Sequence, residues 1–491
     1  MIYRTIQRHA EHSPDKLALR HGEELITYGA LGRQVRAAMA MLEREGIDHG
    51  DCIAFLGPNH PSQIVLLLAC AGIGCLHLPL NWRLAAPELH EILEDSGAAL
   101  LFAMPEMEAL ARQAAPADCP VRDATAAWAE RKEDPSRLQL ELEDMLLLVY
   151  TSGTTGRPRG VPLNHRMLFT NALNSQHMHG LGPTDRVLTM LPMFHVGGLN
   201  IQTLPALLFG AEVMLLPRFE PEAFFAACAS FRPTLTVMVP AVMQALVTHP
   251  AWATADLSSL RAVSAGSSEV PLPLIEAFHA RGIPVQQVYG ATETGPIAIY
   301  QTREEALAHP GSIGRQALYG SARVVDARGR PLPPGKAGEI ELRGHHIARS
   351  YWNGAEESEA AWRDGWFATG DVGHRDAEGR FWFTDRLKHL IISGGENIAP
   401  LEVERVLREV PGVREVAVCG RPDPRWGEVP VAVVVPGPGF DPAAMLAYCE
   451  GRLARFKHPR AVVTVTALPR TALGKVELQA LRQIAARAND R

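Results

Sequence analysis

The sequence has 491 residues, and at about 150 residues per domain it has room for several packed units. Hydrophobic residues make up 47% and charged residues 21%, with 42 Gly and 37 Pro near average usage, which excludes disorder, collagen and coiled coil as the main architecture. The 48 Lys+Arg against 54 Asp+Glu give a formal charge of -6, so bulk attraction to nucleic acid or anionic lipid is absent and a dedicated nucleic-acid binder is disfavoured.

From the start to about Ala103, apolar-periodic segments alternate with short β-like runs. The opening MIYRTIQRHAEHSPDK has no apolar run of signal-peptide type, and AARANDR at the end is neither a peroxisomal nor a retention address. Leu31, Val35, Ala38 and Leu42 form a helical stripe stopped by Gly46, and CIAFLG follows as a strand. The longest apolar run, Ile64 to Leu76, is shorter than the about 18 to 20 residues of a membrane span. It predicts a buried helix and strand, and no transmembrane segment is expected. The seven cysteines (Cys52, Cys70, Cys75, Cys119, Cys228, Cys419, Cys449) are widely spaced, without a C-x-x-C pair, which suits a reducing, cytoplasmic location.

Between Leu146 and Gly290 the strand-like runs LLLVY, RVLTML, AEVMLL, TLTVMV, LRAVSA and VQQVY alternate with helical stretches such as PEAFFAACA and PLPLIEAFHARG. This rhythm predicts a layered α/β architecture. After Arg328 the texture becomes turn-rich β, with hairpins expected in RGRPLPPGKAGEIELRG and RDAEGRFWFTDR. The last hundred or so residues read as a compact α+β unit, in which ENIAPLEVERVLREV puts Leu401, Val403, Val406, Leu407 and Val410 at helical spacing. From residue 451 onward basic residues outnumber acidic ones, which suits either a polyphosphate ligand or a solvated surface.

Five segments could carry chemistry. Thr151-Ser-Gly-Thr-Thr-Gly-Arg-Pro-Arg-Gly160 is a glycine- and hydroxyl-rich loop after an apolar strand, able to bring backbone N–H groups to an oxyanion; Pro158-Arg159-Gly160 stands where a Walker loop needs Gly-Lys-[Ser/Thr]. Gln287-Val-Tyr-Gly-Ala-Thr-Glu-Thr-Gly295 offers a flat ring at Tyr289, a hydroxyl at Thr292 and, at Glu293, a hard oxygen of the kind Mg²⁺ accepts. Asp371, in Trp366 to Val372, could take ribose hydroxyls or simply serve a turn. Asp385-Arg-Leu-Lys-His-Leu-Ile-Ile-Ser-Gly-Gly-Glu-Asn397 and Pro469-Arg-Thr-Ala-Leu-Gly-Lys475 complete the set. The sequence contains no HExxH and no G-x-S-x-G.

In order and spacing these five segments resemble the signature run of the acyl-adenylate-forming superfamily, and the resemblance covers nearly the whole chain. It implies a large layered N-terminal domain over 1–387, made of α/β subdomains plus a β-rich subdomain, a hinge at Lys388, and a small mobile α+β C-terminal lid domain over 389–491. The implied chemistry has two steps: a carboxylate attacks the α-phosphate of Mg·ATP to give acyl-AMP and pyrophosphate, then the thiol of coenzyme A displaces AMP. By the same resemblance Thr151, Ser152, Gly153, Thr154, Thr155 and Gly156 hold the β- and γ-phosphates. Gly266, Ser267, Ser268, Tyr289, Gly290 and Ala291 serve the adenine side, Thr292 the α-phosphate, and Glu293 with Thr151 the Mg²⁺. Asp371 and Arg386 grip the ribose. Lys475 bridges substrate carboxylate and α-phosphate, and Gly394 and Gly395 line the pantetheine route once the small domain has swung.

Two positions depart from the family pattern: Arg159 replaces the usual Lys, turning a point charge into a planar fork, and Gly394 stands where plant coumarate-CoA ligases carry a lysine. Amino-acid-activating modules carry Asp after the Phe of an F-D motif, whereas Pro192-Met-Phe-His-Val-Gly-Gly-Leu199 has His195 there, which the resemblance to ligases implies borders the acyl site. The walls implied at 195–199, 239–243 and 291–297 are mostly small or apolar and hold no Lys or Arg. The expectation is therefore a carboxylate–CoA ligase for a hydrophobic monocarboxylic acid, fatty before aryl, with ATP, Mg²⁺ and CoA. A module that loads an acyl or aminoacyl group onto a carrier protein is the alternative. A homodimer is the expected assembly.

Overall fold

The computed structural model of the protein describes residues 1–125, 140–152, 158–267, 270–393, 396–423, 426–450, 452–453, 455–471 and 474–487. The chain divides into two compact units, Met1–Ala322 with Leu342–Ala368, and Arg323–Glu341 with Thr369–Arg491. The segment around Lys388 lies inside the second of these.

The first unit opens with the antiparallel hairpin β1 (Leu17–His21) and β2 (Glu24–Thr27). β3 (Cys52–Leu56), β4 (Leu76–Leu80), β5 (Ala98–Ala103), β6 (Val121–Asp123), β7 (Met145–Ser152) and β8 (Pro158–Asn164) then form a six-stranded sheet in the order β6-β5-β3-β4-β7-β8. β3 runs parallel to β4 and β5, while β7 and β8 are antiparallel. β9 (Arg186–Thr189), β10 (Glu212–Leu215), β11 (Leu235–Met238), β12 (Ala262–Ala265), β13 (Val285–Tyr289), β14 (Ile299–Tyr300) and β15 (Arg315–Gln316) build a nine-stranded sheet, β15-β14-β13-β12-β11-β9-β10-β1-β2. Helices fill the crossovers, as parallel strands require.

The helix Pro61–Ile73 is buried at every residue, which matches its unbroken apolar sequence. Pro61 pre-sets its first turn, and Gly74 ends it in the left-handed region at φ +77, where a Cβ would also collide with His49 at 2.3 Å. The stripe Leu31, Val35, Ala38 and Leu42 lies on the helix Tyr28–Arg44, fully buried against the same core. Thr27 starts that helix by accepting the Ala30 N–H.

The chain passes between the units within β16 (Gly320–Val325), β17 (Gly338–Gly344) and, after β18 (Trp362–Arg363), within β19 (Trp366–Arg375). In the second unit β19 pairs with β20 (Phe381–Arg386) as an antiparallel hairpin, whose turn is held by Asp376 accepting from the Arg380 N–H and Nε at 2.8 Å each. β21 (Ile391–Ser393), β22 (Glu396–Ile398), β23 (Val413–Asp423), β24 (Gly427–Pro436) and β25 (Ala461–Thr464) form a second sheet. Successive residues of β23 face opposite sides: Val416 and Val418 pack with Val403 and Leu407 of the helix Pro400–Arg408, and Ala417 and Cys419 with Leu481 and Ala485 of the helix Leu478–Ala485. This is the compact α+β architecture expected of the C-terminal part.

The helix Pro400–Arg408 differs from its spacing in one respect: Leu401 and Val406 are half-buried, and Glu404 is buried instead. Glu404 accepts the Val418 N–H at 2.8 Å and pairs with Arg408 at 2.7 Å, so the carboxylate is satisfied inside. All seven cysteines are free and buried, and among the described residues no helix is long and apolar enough to cross a membrane.

Candidate active site

Thr151 sits near the end of β7, opposite Arg159 on β8, and its Oγ1 lies 3.5 Å from the Arg159 carbonyl. The residues between them, among them Gly153, Thr154, Thr155 and Gly156, lie outside the described residues, as does the side chain of Ser152. On β8, Gly160 accepts the Trp352 N–H at 2.8 Å, and a Cβ on Gly160 would lie 2.9 Å from the Trp352 Cβ. The segment Tyr351–Trp352 therefore braces the base of the hairpin. Arg159 lies over the Tyr351 ring, its guanidinium carbon 5.5 Å from the centroid.

Parallel pairing of β12 with β13 aligns Ala265 with Gln287 and brings the strand ends, Gly266 and Tyr289, to one edge of the sheet. Both glycines there are required by close backbone approach: a Cβ on Gly266 would lie 2.3 Å from the Val288 carbonyl oxygen, and one on Gly290 would lie 1.9 Å from that of Pro296. Ser267 takes φ +73, and Ser268 lies outside the described residues. Ala291 starts a single 3₁₀ turn, Thr292–Thr294, closed by the Thr294 hydroxyl accepting the Ala291 N–H at 2.9 Å.

Glu293, on that turn, accepts a hydrogen bond from the Tyr351 hydroxyl at Oε1, 2.8 Å away, and its carbonyl accepts the Ala348 N–H at 2.7 Å. Burial first, then the Glu293 charge and hydrogen bond, push the Tyr351 phenol well above its ordinary pKa, so it stays protonated and donating. The turn is bolted down by buried amides: Asn200 Nδ2 donates to the Gly295 carbonyl at 3.0 Å, Asn171 Nδ2 to the Asn200 carbonyl at 2.7 Å, and Asn171 Oδ1 accepts the Ile297 N–H at 3.1 Å. A carboxylate fixed in this way is a hard oxygen donor suited to a cation carrying phosphates.

His195 starts the short helical turn Val196–Gly198 and packs at 4.5 Å, centroid to centroid, against Phe194. Gly198 is required by contact, since its Cβ would lie 2.2 Å from the Pro192 carbonyl oxygen, whereas a Cβ on Gly197 would meet nothing within 4 Å. The preceding segment is held by Asn59, whose Nδ2 donates to Leu191 and Leu216 carbonyls at 2.9 and 3.0 Å and whose Oδ1 accepts the Met193 N–H at 2.8 Å. Val196, Leu199, Val242, Met243 and Ile297 are buried.

In the second unit, Asp371 and Arg386 face each other in the β19–β20 register and form an ion pair at 3.0 Å. Asp385 is buried; it accepts the Arg386 N–H at 2.7 Å and the Leu401 N–H at 3.0 Å, tying the end of β20 to the start of the helix Pro400–Arg408. Lys388 lies in the 3₁₀ turn Leu387–His389, its side chain outside the description, and Gly394 and Gly395 lie outside the described residues. Lys475 is exposed on a turn closed by the Thr471 N–H donating to its carbonyl at 2.8 Å, with Gly474 at φ +77.

Sequence reasoning named the strand-end residues and did not name the residues that brace them, Tyr351, Trp352, Asn171, Asn200 and Asn59. The aromatic pair within Ser350-Tyr351-Trp352 was the one signal available, and nothing local says that Tyr351 reaches a carboxylate 58 positions away.

Residues 6–352 match the family model for the AMP-binding enzyme, and residues 402–475 that for the AMP-binding enzyme C-terminal domain. The chain is 46% identical to an indoleacetate–CoA ligase of Aromatoleum aromaticum, with 98% of each chain covered. It is 42% identical to a feruloyl-CoA synthase of an Amycolatopsis species, with 96% of each covered. It aligns with a TM-score of 0.88 to the O-succinylbenzoate coenzyme A synthetase from Bacillus subtilis in complex with ATP and magnesium ion, 30% identical, with 98% of each chain covered. The chain belongs to the AMP-binding enzyme family, within the acyl-adenylate-forming superfamily, and is an AMP-forming ligase of the acyl-CoA synthetase type.

Proposed function

We propose that the protein joins a hydrophobic monocarboxylic acid, aryl-substituted in preference to plain fatty, to coenzyme A. A carboxylate oxygen attacks the α-phosphorus of ATP and pyrophosphate leaves with the electron pair of the broken P–O bond. The CoA thiol then attacks the acyl carbon, and AMP leaves.

The residues divide this work. Thr151 and the turn Ser152 to Gly156 hold the β- and γ-phosphates, and Arg159 supplies a cation behind them. Gly266, Ser267, Ser268, Tyr289, Gly290 and Ala291 form the adenine slot, where the two glycines let the backbone segments that shape it pack closely. Thr292 takes the α-phosphate, while Asp371 and Arg386 take the ribose. Glu293, held by Tyr351, and Thr151 fit a Mg²⁺, which when bound shields the phosphate charges. Lys475 stabilises the charge that builds between carboxylate and α-phosphate. His195 borders the reacting acyl group. Lys388 is the hinge between an N-terminal domain over 1–387 and a mobile one over 389–491, and Gly394 and Gly395 line the thiol route. The finer parts of this reading are a cytoplasmic location and a homodimer.

The observation that carries the acid class is the composition of the walls: 195–199, 239–243 and 291–297 hold no Lys or Arg, and they bury Val196, Leu199, Val242, Met243 and Ile297. A second carboxylate would lie there without a counter-ion, at a cost of several kcal/mol. The indoleacetate and feruloyl enzymes among its relatives favour a ring over a plain chain. The test is pyrophosphate release and CoA-thioester formation across arylacetates, arylpropenoates, octanoate, succinate and acetate. Arylacetates or arylpropenoates are expected to lead. Leadership by a dicarboxylate would overturn the acid class, and thioester formation on a carrier protein in preference to CoA would overturn the ligase assignment.

A further inference from the structure

Among the described residues, one group outside the site combines metal-ligating side chains at close range: His21, Glu24 and His60. His21 ends β1 and pairs in register with Glu24, which opens β2 across the tight turn at Gly22 (φ +57). His60 stands immediately before the buried helix Pro61–Ile73, whose burial fixes it against the hairpin. The two imidazole rings meet edge to face with centroids 4.8 Å apart.

The three candidate ligand atoms lie within 4.8 Å of one another. Ligands at 2.0–2.1 Å from a tetrahedral zinc are about 3.4 Å apart, so the set must contract by up to about 1.4 Å. Glu24 is exposed, and its side chain is free to make that rotation. His60 already has an outer partner: its Nδ1 lies 3.0 Å from the Ser62 hydroxyl and accepts the Ser62 N–H at 3.2 Å. Metal on Nε2 would move the ring proton to Nδ1, which then gives up the Ser62 N–H and donates to the Ser62 hydroxyl, the supporting bond that metal-bound histidines require.

We propose that His21, Glu24 and His60 bind one divalent transition-metal ion of the zinc class, with water completing the coordination. Two nitrogens and one carboxylate oxygen are a borderline-soft set that selects against Mg²⁺, so the ion is distinct from the one serving ATP. The site would clip the β1–β2 hairpin to the start of the helix Pro61–Ile73. Residues flanking His60 hold the segment leading to His195: Asn59 grips Leu191 and Met193, and Gln63 Nε2 donates to the Met193 carbonyl at 3.2 Å.

The test is a Co²⁺ titration of the untagged, EDTA-treated full chain, read by visible absorption, followed by displacement with Zn²⁺ and by melting in Zn²⁺ or EDTA. One equivalent with a tetrahedral-type band, and a higher melting temperature in Zn²⁺, are expected. Glu24→Ala and His21→Ala should each weaken Co²⁺ binding by about 100-fold or more, and Ser62→Ala by about 10-fold. Melting of each variant in EDTA reports its folding, so a fold defect is separable from a ligand loss. Absence of stoichiometric Co²⁺, or equal affinity in the Glu24 and His21 variants, would overturn the site. None of these readouts uses turnover, so either result leaves the ligase reading where it stands.

Discussion

The Tyr351 hydroxyl donates to Glu293 Oε1 across 2.8 Å, and the same ring lies beneath the Arg159 guanidinium. One aromatic side chain thus joins Arg159 on β8 to the carboxylate proposed to hold Mg²⁺. Tyr351→Phe keeps the ring beneath Arg159 but removes the hydroxyl, which orients the carboxylate and also meets the Arg159 guanidinium. The Mg²⁺ concentration for half-maximal pyrophosphate release is expected to rise about 10-fold, with AMP affinity unchanged. Glu293→Gln should raise it further, because it removes charge as well as position. An unchanged Mg²⁺ requirement in both variants would take Glu293 out of the metal shell.

Lys475→Ala tests the charge that develops during adenylation. The turn beneath Lys475 is closed by backbone groups, the Thr471 N–H to the Lys475 carbonyl and the Gly474 N–H to the Thr471 carbonyl, each at 2.8 Å, so truncating the side chain leaves the local fold intact. Adenylation should fall about 10²- to 10³-fold, as for the loss of one preorganised electrostatic group. Thioester formation from supplied acyl-AMP should persist. Equal loss of both half-reactions in a folded variant would contradict this division of labour.

Stability should fall in mild acid through buried neutral histidines. His179 is buried with Nδ1 2.8 Å from the Ser175 carbonyl and Nε2 2.7 Å from the Ser264 hydroxyl. Burial, with the Arg261 charge adding, holds its pKa at about 4, below the about 6.5 of the unfolded chain. The unfolded state therefore takes up the proton first: the contribution is complete above about pH 6.5 and is lost as pH falls toward 4. The melting temperature should drop across that window. His179→Gln, less stable at pH 7, should show a shallower drop, although His77 and His165, lowered to about 3 and about 4 by burial, continue to act in the same direction. Identical slopes for the two proteins would show that His179 does not titrate on unfolding.

Strands were legible because each is a short apolar run ended by Gly, Pro or polar residues, and the chemistry-bearing loops follow directly from β7, β12 and β13. The need for glycine at 266 and 290 was not legible as such: it arises from carbonyl oxygens of Val288 and Pro296 that only sheet pairing and the following turn bring near. The asparagines that bolt the Glu293 turn were equally silent. Asn171 and Asn200 are polar residues in apolar-looking segments, and their value lies in satisfying backbone groups that a strand-and-helix reading does not count. Glu404 misled the helical pattern for the same reason, since a carboxylate that accepts a strand N–H can occupy the buried face.

The sharpest test of the acyl pocket compares two acids with one carbon skeleton, 3-phenylpropanoate and L-phenylalanine. In the proposed reading His195 stands where amino-acid modules place the Asp that pairs the substrate ammonium, and the segments taken as walls, 195–199, 239–243 and 291–297, bury Val196, Leu199, Val242, Met243 and Ile297. The benzyl groups of the two acids gain the same contacts, so the difference reports the ammonium alone. Burying that charge without a partner costs several kcal/mol. At 1.36 kcal/mol per tenfold in rate, kcat/KM for the amino acid should be lower by about 10³-fold or more. His195→Asp should narrow the gap by lowering the rate with 3-phenylpropanoate, whose carboxylate it repels, more than the rate with phenylalanine. If phenylalanine is adenylated as well as its des-amino analogue by the unaltered protein, the pocket holds an anion or an ordered water that pairs the ammonium, and the hydrophobic-acid reading fails while the adenylating chemistry stands.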